Sequence, residues 1–369
     1  MPNKDIILSS LEALKKHQPQ QELILGFDGF VDQIIHLVDE RQNAENYTRL
    51  NNMTDYASRV ERASGKSCNI EMKLIETKLG GNAPIMANAL LSQGYGINYF
   101  GALGKDNIDP IFNDFVSQCK KVVSIANPAV TEALEFHDGK IMMGRLEPLD
   151  DINWENLLSK ISIDDLEALL NKSSLIGCVN WTMMPYMNSI YEGLTKHLAK
   201  TDERKLVFID LVDPRKRTSE DLNNALTLLS KMQEHADVIL GLNEDESIQV
   251  AELIGVNTSE LGDRAGAILN KLNLKYVVIH PTKGACIATE TDSFYHDGPY
   301  TPTPKLTTGA GDNFNAGFCN ALLSGLNPEQ AIITGVCTSG YYVRNCRSPM
   351  REELIGFMQD WAEVDGGEI

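Results

Sequence analysis

Six near-continuous apolar runs recur along the chain: ELILGF (22–27), INYFGAL (97–103), SLIGCV (174–179), KLVFID (205–210), ADVILGL (236–242) and KYVVIH (275–280). Runs without polar alternation suit strands buried on both faces. Apolar residues at helical spacing fill the stretches between them, near 82–93, 108–119, 186–199, 218–235, 243–254 and 261–271. Three more helices, near 312–325, 327–344 and 350–361, close the chain. The opening segment MPNKDIILSSLEALKKHQ reads as a short amphipathic helix with Ile7, Leu11 and Leu14 on one face. Strands alternating with helices form βαβ units, so the fold class is α/β, a parallel sheet with helices on both faces.

Two segments break this rhythm. CNIEMKLIETKL (68–79) and AVTEALEFHDGKIMMGRLE (129–147) alternate like half-exposed strands, and Asp138-Gly139 is a strong hairpin signal. Segments at about 30–80 and 128–147 are expected to form a small β-sheet lid on one catalytic body spanning 1–369. Between the early strands, residues 43–65 read as a polar helical insertion to which the sequence assigns no role.

Composition narrows the partners. The 369 residues include 33 basic and 51 acidic side chains, for a net charge of −18. Such a chain repels nucleic acid and anionic membrane surfaces. A phosphate-handling site must then rely on backbone N–H groups, a metal ion or a few local cations. The seven cysteines lack CxxC spacing, which fits reduced thiols and a cytoplasmic location. No apolar run approaches the length of a membrane span, and the N-terminal segment has no signal-peptide core.

The densest chemical signal is TTGAGDNFNAGF (307–318). Gly309, Ala310 and Gly311 carry almost no side chain and lead through Asp312 into apolar residues spaced four apart, Phe314, Phe318 and Leu322. A small-residue loop entering a helix collects free N–H groups and the positive end of the dipole, which favours an anion. Asp312 is equally suited to be a plain N-cap.

Other candidates follow strands, where open parallel sheets bind ligands. GFDGFVDQI places Asp28 and Asp32 in a turn; LGGNAPIMANAL offers Gly80 and Gly81 for close approach and Asn82 as a hydroxyl partner. Each also reads as an ordinary turn or cap. Asn243 and Glu246, one helical turn apart, either complement the helix dipole or organise water around Mg²⁺. Asn180-Trp181 lines a pocket or packs the core, and Arg215 in DPRKR binds phosphate or lies on the surface.

In this order the pieces resemble the PfkB (ribokinase-like) carbohydrate kinase family, from about residue 22 to about residue 350. TTGAGDNFNAGF matches its C-terminal signature, LGGNAPIMANAL followed by FGALGKD its N-terminal one, and NEDE its NxxE element. The resemblance implies a Rossmann-like body with a β-sheet lid, ATP as donor, Mg²⁺ as its counterion, and a sugar or nucleoside hydroxyl as acceptor. It also implies Asp312 as catalytic base, Gly309, Ala310 and Gly311 as anion hole, and Asp32, with Asp28 beside it, on the sugar hydroxyls. Gly80, Gly81 and Asn82 match the acceptor motif. Asn243, Lys283, Gly284 and Thr308 fall on the nucleotide side, with Glu246 reaching the metal through water. A homodimer through the lid is the assembly to be tested.

Departures from the pattern are specific. Leu306 replaces an Asp that in many relatives helps hold a stimulating monovalent cation, and Ile85 replaces a common Asn. His280-Pro281 occupies a Thr and Gly element near the nucleotide, of which Lys283-Gly284 remain, and Val336 stands where an Asn often lies near adenine. The expected activity is transfer of the γ-phosphoryl group of ATP to a sugar hydroxyl. The rival readings are a nucleoside kinase on the same scaffold and a catalytically weak sugar-binding or regulatory protein.

Overall fold

The computed structural model describes residues 4–364, so residues 1–3 and 365–369 of the expected body lie outside it. In chain order the early strands are β1 (Glu22–Phe27), β2 (Phe30–Arg41), β3 (Tyr47–Arg49), β4 (Met72–Gly80), β5 (Gly96–Gly101), β6 (Lys121–Ser124), β7 (Ala129–Phe136) and β8 (Gly139–Arg145). The later ones are β9 (Ser173–Cys178), β10 (Leu206–Asp210), β11 (Asp237–Leu242), β12 (Tyr276–Ile279), β13 (Gly284–Ala288) and β14 (Ser293–Asp297). Helices are α1 (Lys4–Lys16), α2 (Met53–Arg62), α3 (Asn82–Ser92), α4 (Asn113–Gln118), α5 (Trp154–Lys160), α6 (Ile163–Lys172) and α7 (Met187–Leu198). They continue with α8 (Ser219–Met232), α9 (Glu244–Leu253), α10 (Leu261–Leu272), α11 (Ala310–Leu323), α12 (Pro328–Asn345) and α13 (Arg351–Glu363).

Nine strands form the large sheet in the order β14-β13-β12-β11-β10-β9-β1-β5-β6, parallel from β12 to β6. All six apolar runs lie in it. Successive side chains of a strand point to opposite faces, so β1 sends Leu23 and Leu25 to one layer and Ile24 to the other. The first layer packs α1, α3, α11, α12 and α13; the second packs α5 to α10. After β1 the chain lays strands outward through β5 and β6, then returns to the other side of β1 with β9. This reversal is a topological switch point, the place where such sheets bind ligands.

The sequence pattern missed β6, α5, α6 and the antiparallel edge made by β13 and β14. Gly284 in β13 lies so close to β14 that a Cβ would sit 2.4 Å from the His296 carbonyl oxygen. Close strand approach therefore accounts for that glycine.

A smaller sheet carries β3, β2, β7 and β8, with β4 on the other edge of β2. Here the expected turn at Asp28–Asp32 is corrected. Asp32 lies inside the 12-residue strand β2, paired with Lys78 of β4 and Thr131 of β7. The expected helix over 43–65 is likewise only α2, because β3 first pairs with the end of β2. Leu50, Met53 and Tyr56 pack on Ile35, Leu37, Leu134 and Phe136, giving the small sheet its own hydrophobic cluster.

Candidate active site

The first turn of α11 sits at the switch point. Its cap is Gly309, in the left-handed region at φ 89°, which places Asp312 as the third helical residue and removes the alternative reading of it as a plain N-cap. The cap must lack a side chain: a Cβ on Gly309 would lie 2.7 Å from Tyr342 Oη. Tyr342, from α12, donates to the Thr308 carbonyl at 2.8 Å, and the Lys305 N–H donates to the Val343 carbonyl at 2.8 Å. These bonds hold the loop from behind, and no sequence signal marked Tyr342.

On one side of this turn is a buried polar network. Asp28, immediately beyond β1, is fully enclosed. Its carboxylate accepts from the Asn82 and Ala83 N–H groups, both at 2.9 Å, and from Asn180 Nδ2 at 2.6 Å. Asp28 thus binds the free donors that open α3 and ties the end of β1 to the end of β9. Expected on the acceptor beside Asp32, it is instead an internal anchor. Asn82 passes the linkage on, since its Nδ2 donates to Asp312 Oδ1 at 2.9 Å. Trp181 packs in the core, with the Arg217 guanidinium 4.4 Å from its ring centroid.

Gly80 and Gly81 serve distinct steric needs. A Cβ on Gly80 would come within 2.3 Å of Asp32 Oδ2, so this glycine makes room for the Asp32 carboxylate. Gly81 caps α3 at φ 104°.

Burial dominates the electrostatics. It raises Asp312 to about 8, helped by the charges of Asp28 and Glu246 and opposed by the Asn82 hydrogen bond. Burial raises Asp28 to about 6 against its three donors, and it raises Asp32 against a hydrogen bond from Thr131. Asp210, at the carboxyl end of β10, was not singled out from the sequence. It accepts from Asn315 Nδ2 at 2.7 Å and is pushed well above the carboxylate range by burial, then by Glu246 and Asp312. An Asp ending a parallel strand was the available signal.

On the other side opens a cleft of about 600 Å³, bounded by Lys283, Tyr300, Thr307, Gly311, Val336 and Asn243. Its size suits a nucleotide-sized ligand. Thr307 rather than Thr308 forms its wall, and Lys283 Nζ lies 5.4 Å from the Tyr300 ring centroid. Arg215 is surface-exposed, near Asp213 and Asp245.

Asn243 and Glu246 form a reciprocal capping box on α9. One Glu246 oxygen accepts from the Asn243 N–H at 2.9 Å and the other from the Asp213 N–H at 3.0 Å. Each oxygen retains capacity to accept from a water, a donor set that fits a hydrated Mg²⁺ better than direct ligation.

A family model described as prokaryotic ketohexokinase matches residues 3–361. The chain belongs to the prokaryotic ketohexokinase family. A ketohexokinase from Haloferax volcanii is 27% identical over 361 residues, covering 96% of this chain and 95% of that protein. Among solved structures, an Arabidopsis thaliana ribokinase complexed with ribose and ATP matches with a TM-score of 0.66 at 16% identity, covering 93% of this chain and 99% of that one. A Xylella fastidiosa fructokinase with bound ATP matches with a TM-score of 0.65 at 14% identity, covering 92% and 99%. At such identities the structural likeness establishes the fold, which is ribokinase-like. Membership of the ketohexokinase family makes the chain a PfkB-type sugar kinase, and with it the reading as a mere binder falls away.

Proposed function

We propose that the protein phosphorylates a ketohexose on a hydroxyl, using ATP and Mg²⁺, with Asp312 as general base. The observation that carries this reading is the position of Asp312, between the cleft on one side of the α11 turn and the Asp28–Asn82 network on the other. The acceptor hydroxyl loses its proton to Asp312 as its oxygen attacks the terminal phosphorus, and ADP leaves. A well-placed base contributes about 10²–10⁴-fold. The N–H groups of Gly309 and Gly311 face charge developing on the transferred group, whereas the Ala310 N–H, expected beside them, already donates to the Thr307 carbonyl at 3.1 Å. Asp32, Gly80, Gly81 and Asn82 orient the acceptor, while Lys283, Gly284 and Asn243 belong to the nucleotide side, with Thr307 in the place expected for Thr308. Mg²⁺, held through waters on Glu246 and Asn243, would supply charge neutralisation to the phosphates.

The small sheet acts as a lid that excludes water from the acceptor. Exposed Met72, Leu74 and Ile75 on β4, with Met142 and Met143 on β8, support a homodimer through this sheet. Among the described residues no helix is long and apolar enough to cross a membrane, and all seven thiols are unpaired, which supports a cytoplasmic setting.

The test is ADP release from the purified protein with Mg·ATP and a panel of ketohexoses, aldoses and nucleosides. A ketohexose should give the largest rate, and Asp32→Ala should raise its KM. No acceptor rising above the acceptor-free control would overturn the kinase reading; a preferred nucleoside would overturn the acceptor.

A further inference from the structure

The cleft wall changes character along its length. Thr307, Ala310 and Gly311 belong to the turn that opens α11. Away from that turn the wall is shared by α12 and the segment 298–304. From α12 come Val336, Ser339, Gly340 and Val343, spaced three and four apart and so on one helical face. Helix and segment touch directly: a Cβ on Gly298 would sit 2.9 Å from Val336 Cβ, and one on Gly340 2.6 Å from Pro299 Cγ. Arg344 of α12 fastens them, donating to the Pro299 carbonyl at 2.8 Å and the Tyr300 carbonyl at 3.1 Å.

This part of the wall has few polar groups of fixed character to offer a ligand. Backbone groups inside α12 are committed to the helix's own hydrogen bonds. In the segment, Pro299, Pro302 and Pro304 have no N–H. The N–H groups of Gly298, Tyr300 and Lys305 donate to the carbonyls of Lys283, Gly298 and Val343 at 2.7, 2.8 and 2.8 Å. That of Thr303 donates to Thr301 Oγ1 at 3.4 Å. The Lys283 ammonium, a fixed donor, lies over the face of the Tyr300 ring. The other polar side chains are the hydroxyls of Tyr300, Thr301 and Ser339. A hydroxyl turns to donate or to accept, so it meets an amino group and a keto oxygen equally well.

We infer that this wall holds the nucleobase through apolar contact and leaves its edge unread, so that the phosphoryl donor is a purine nucleoside triphosphate with either a 6-amino or a 6-oxo base. This rests on the reading that the cleft takes a nucleoside triphosphate with its phosphates at the α11 turn. Adenine presents a donor at C6 and a lone pair at N1, and guanine presents the reverse. A site built around one of these patterns leaves buried polar groups unpaired against the other and rejects it by about 10⁴–10⁵-fold. Apolar contact instead follows the area covered. Two-ring bases are then held alike, and one-ring bases less well.

The experiment is calorimetric titration of the full-length protein with the magnesium complexes of non-hydrolysable AMP-PNP, GMP-PNP and UMP-PNP. The Kd values for AMP-PNP and GMP-PNP should agree within about tenfold, and UMP-PNP should bind more weakly than both. Ser339→Ala removes the one hydroxyl on the α12 face and should leave the ratio of the two purine constants unchanged; thermal melting establishes that the variant folds. A preference of about 100-fold or more for AMP-PNP over GMP-PNP overturns the inference and leaves the kinase reading intact. So does UMP-PNP binding as tightly as the purine analogues, or a purine ratio that Ser339→Ala moves by about tenfold. A wild-type protein that binds none of the three overturns both.

Discussion

Asn82 Nδ2 donates to Asp312 Oδ1 at 2.9 Å, while the Asn82 N–H is itself held by Asp28. The proposed base is thus positioned from the acceptor side of the site by a side chain whose own backbone is anchored. Replacing Asp312 with Asn preserves an oxygen that can accept this bond and removes only the proton acceptor. Asp312→Asn should lower kcat by about 10²-fold or more with little change in Tm. Steady-state kinetics alongside thermal melting checks this, and near-normal kcat would remove Asp312 from the role of base.

The raised pKa of Asp312, about 8, gives two pH effects of opposite sense. Catalysis needs the ionised form, so kcat/KM should rise towards alkaline pH. Stability should run the other way. The native carboxyl keeps its proton above the ordinary value of 3.8, so between that value and about 8 the folded state binds more protons than the unfolded chain. The associated stability is fully present below the unfolded value and is lost as pH rises through the folded one. Tm of the ligand-free protein should fall from about pH 5 to about pH 8, and Asp312→Asn should flatten that fall. Melting both proteins across this range tests the sign directly.

Gly309→Ala should damage both folding and turnover. It forces a Cβ to within 2.7 Å of Tyr342 Oη at a residue with φ 89°. Strain of this kind costs about 1–3 kcal/mol, and relieving it displaces the bond from Tyr342 to the Thr308 carbonyl. Expected outcomes are a lower Tm and a lower kcat, read by melting and steady-state rates. An alanine variant as stable and active as the wild type would show that the loop is not held as described.

Acceptor binding should protect β4 and β8 from hydrogen exchange. These edge strands of the smaller sheet are largely exposed, with no packed layer over most of their residues. Closure over an acceptor lowers their opening rate. Exchange monitored by mass spectrometry with and without a saturating acceptor distinguishes a moving lid from a fixed shelf; identical exchange argues for the shelf.

Leu306 should make activity weakly dependent on K⁺ or independent of it. Hard cations take oxygen ligands, and an isobutyl group offers none. The Leu306 N–H donates towards the Val343 carbonyl at 3.4 Å, so the loop is fastened through its backbone. Rates in KCl and in tetramethylammonium chloride at equal ionic strength test this, and stimulation of about tenfold or more by K⁺ would contradict it.

What the sequence revealed tracks how local each determinant is. Six parallel strands of the large sheet announced themselves as apolar runs, whereas β13, buried along its whole length, did not, and the helix starting near Asn82 was visible from its spacing. The strand β2 was not, because Asp28, Gly29 and Asp32 carry turn chemistry locally while tertiary pairing with β4 and β7 decides the conformation. The same applies to the site. Gly309 to Asp312 are contiguous and legible, whereas Tyr342, Asp210 and the enclosure of Asp28 depend on contacts between distant segments.

Those distances also set an order of assembly on the ribosome. Asp28 takes its partners from 54, 55 and 152 residues downstream, so its carboxylate is fully satisfied once the segment around Asn180 has emerged. The bond from Asn82 to Asp312 spans 230 residues and waits for α11. Folding during synthesis proceeds from the N-terminus, so the nascent chain passes through a long interval in which every partner of Asp28 has emerged and Asp312 is still untranslated. A polypeptide released in that interval would carry every partner of Asp28 and lack the carboxylate proposed as base.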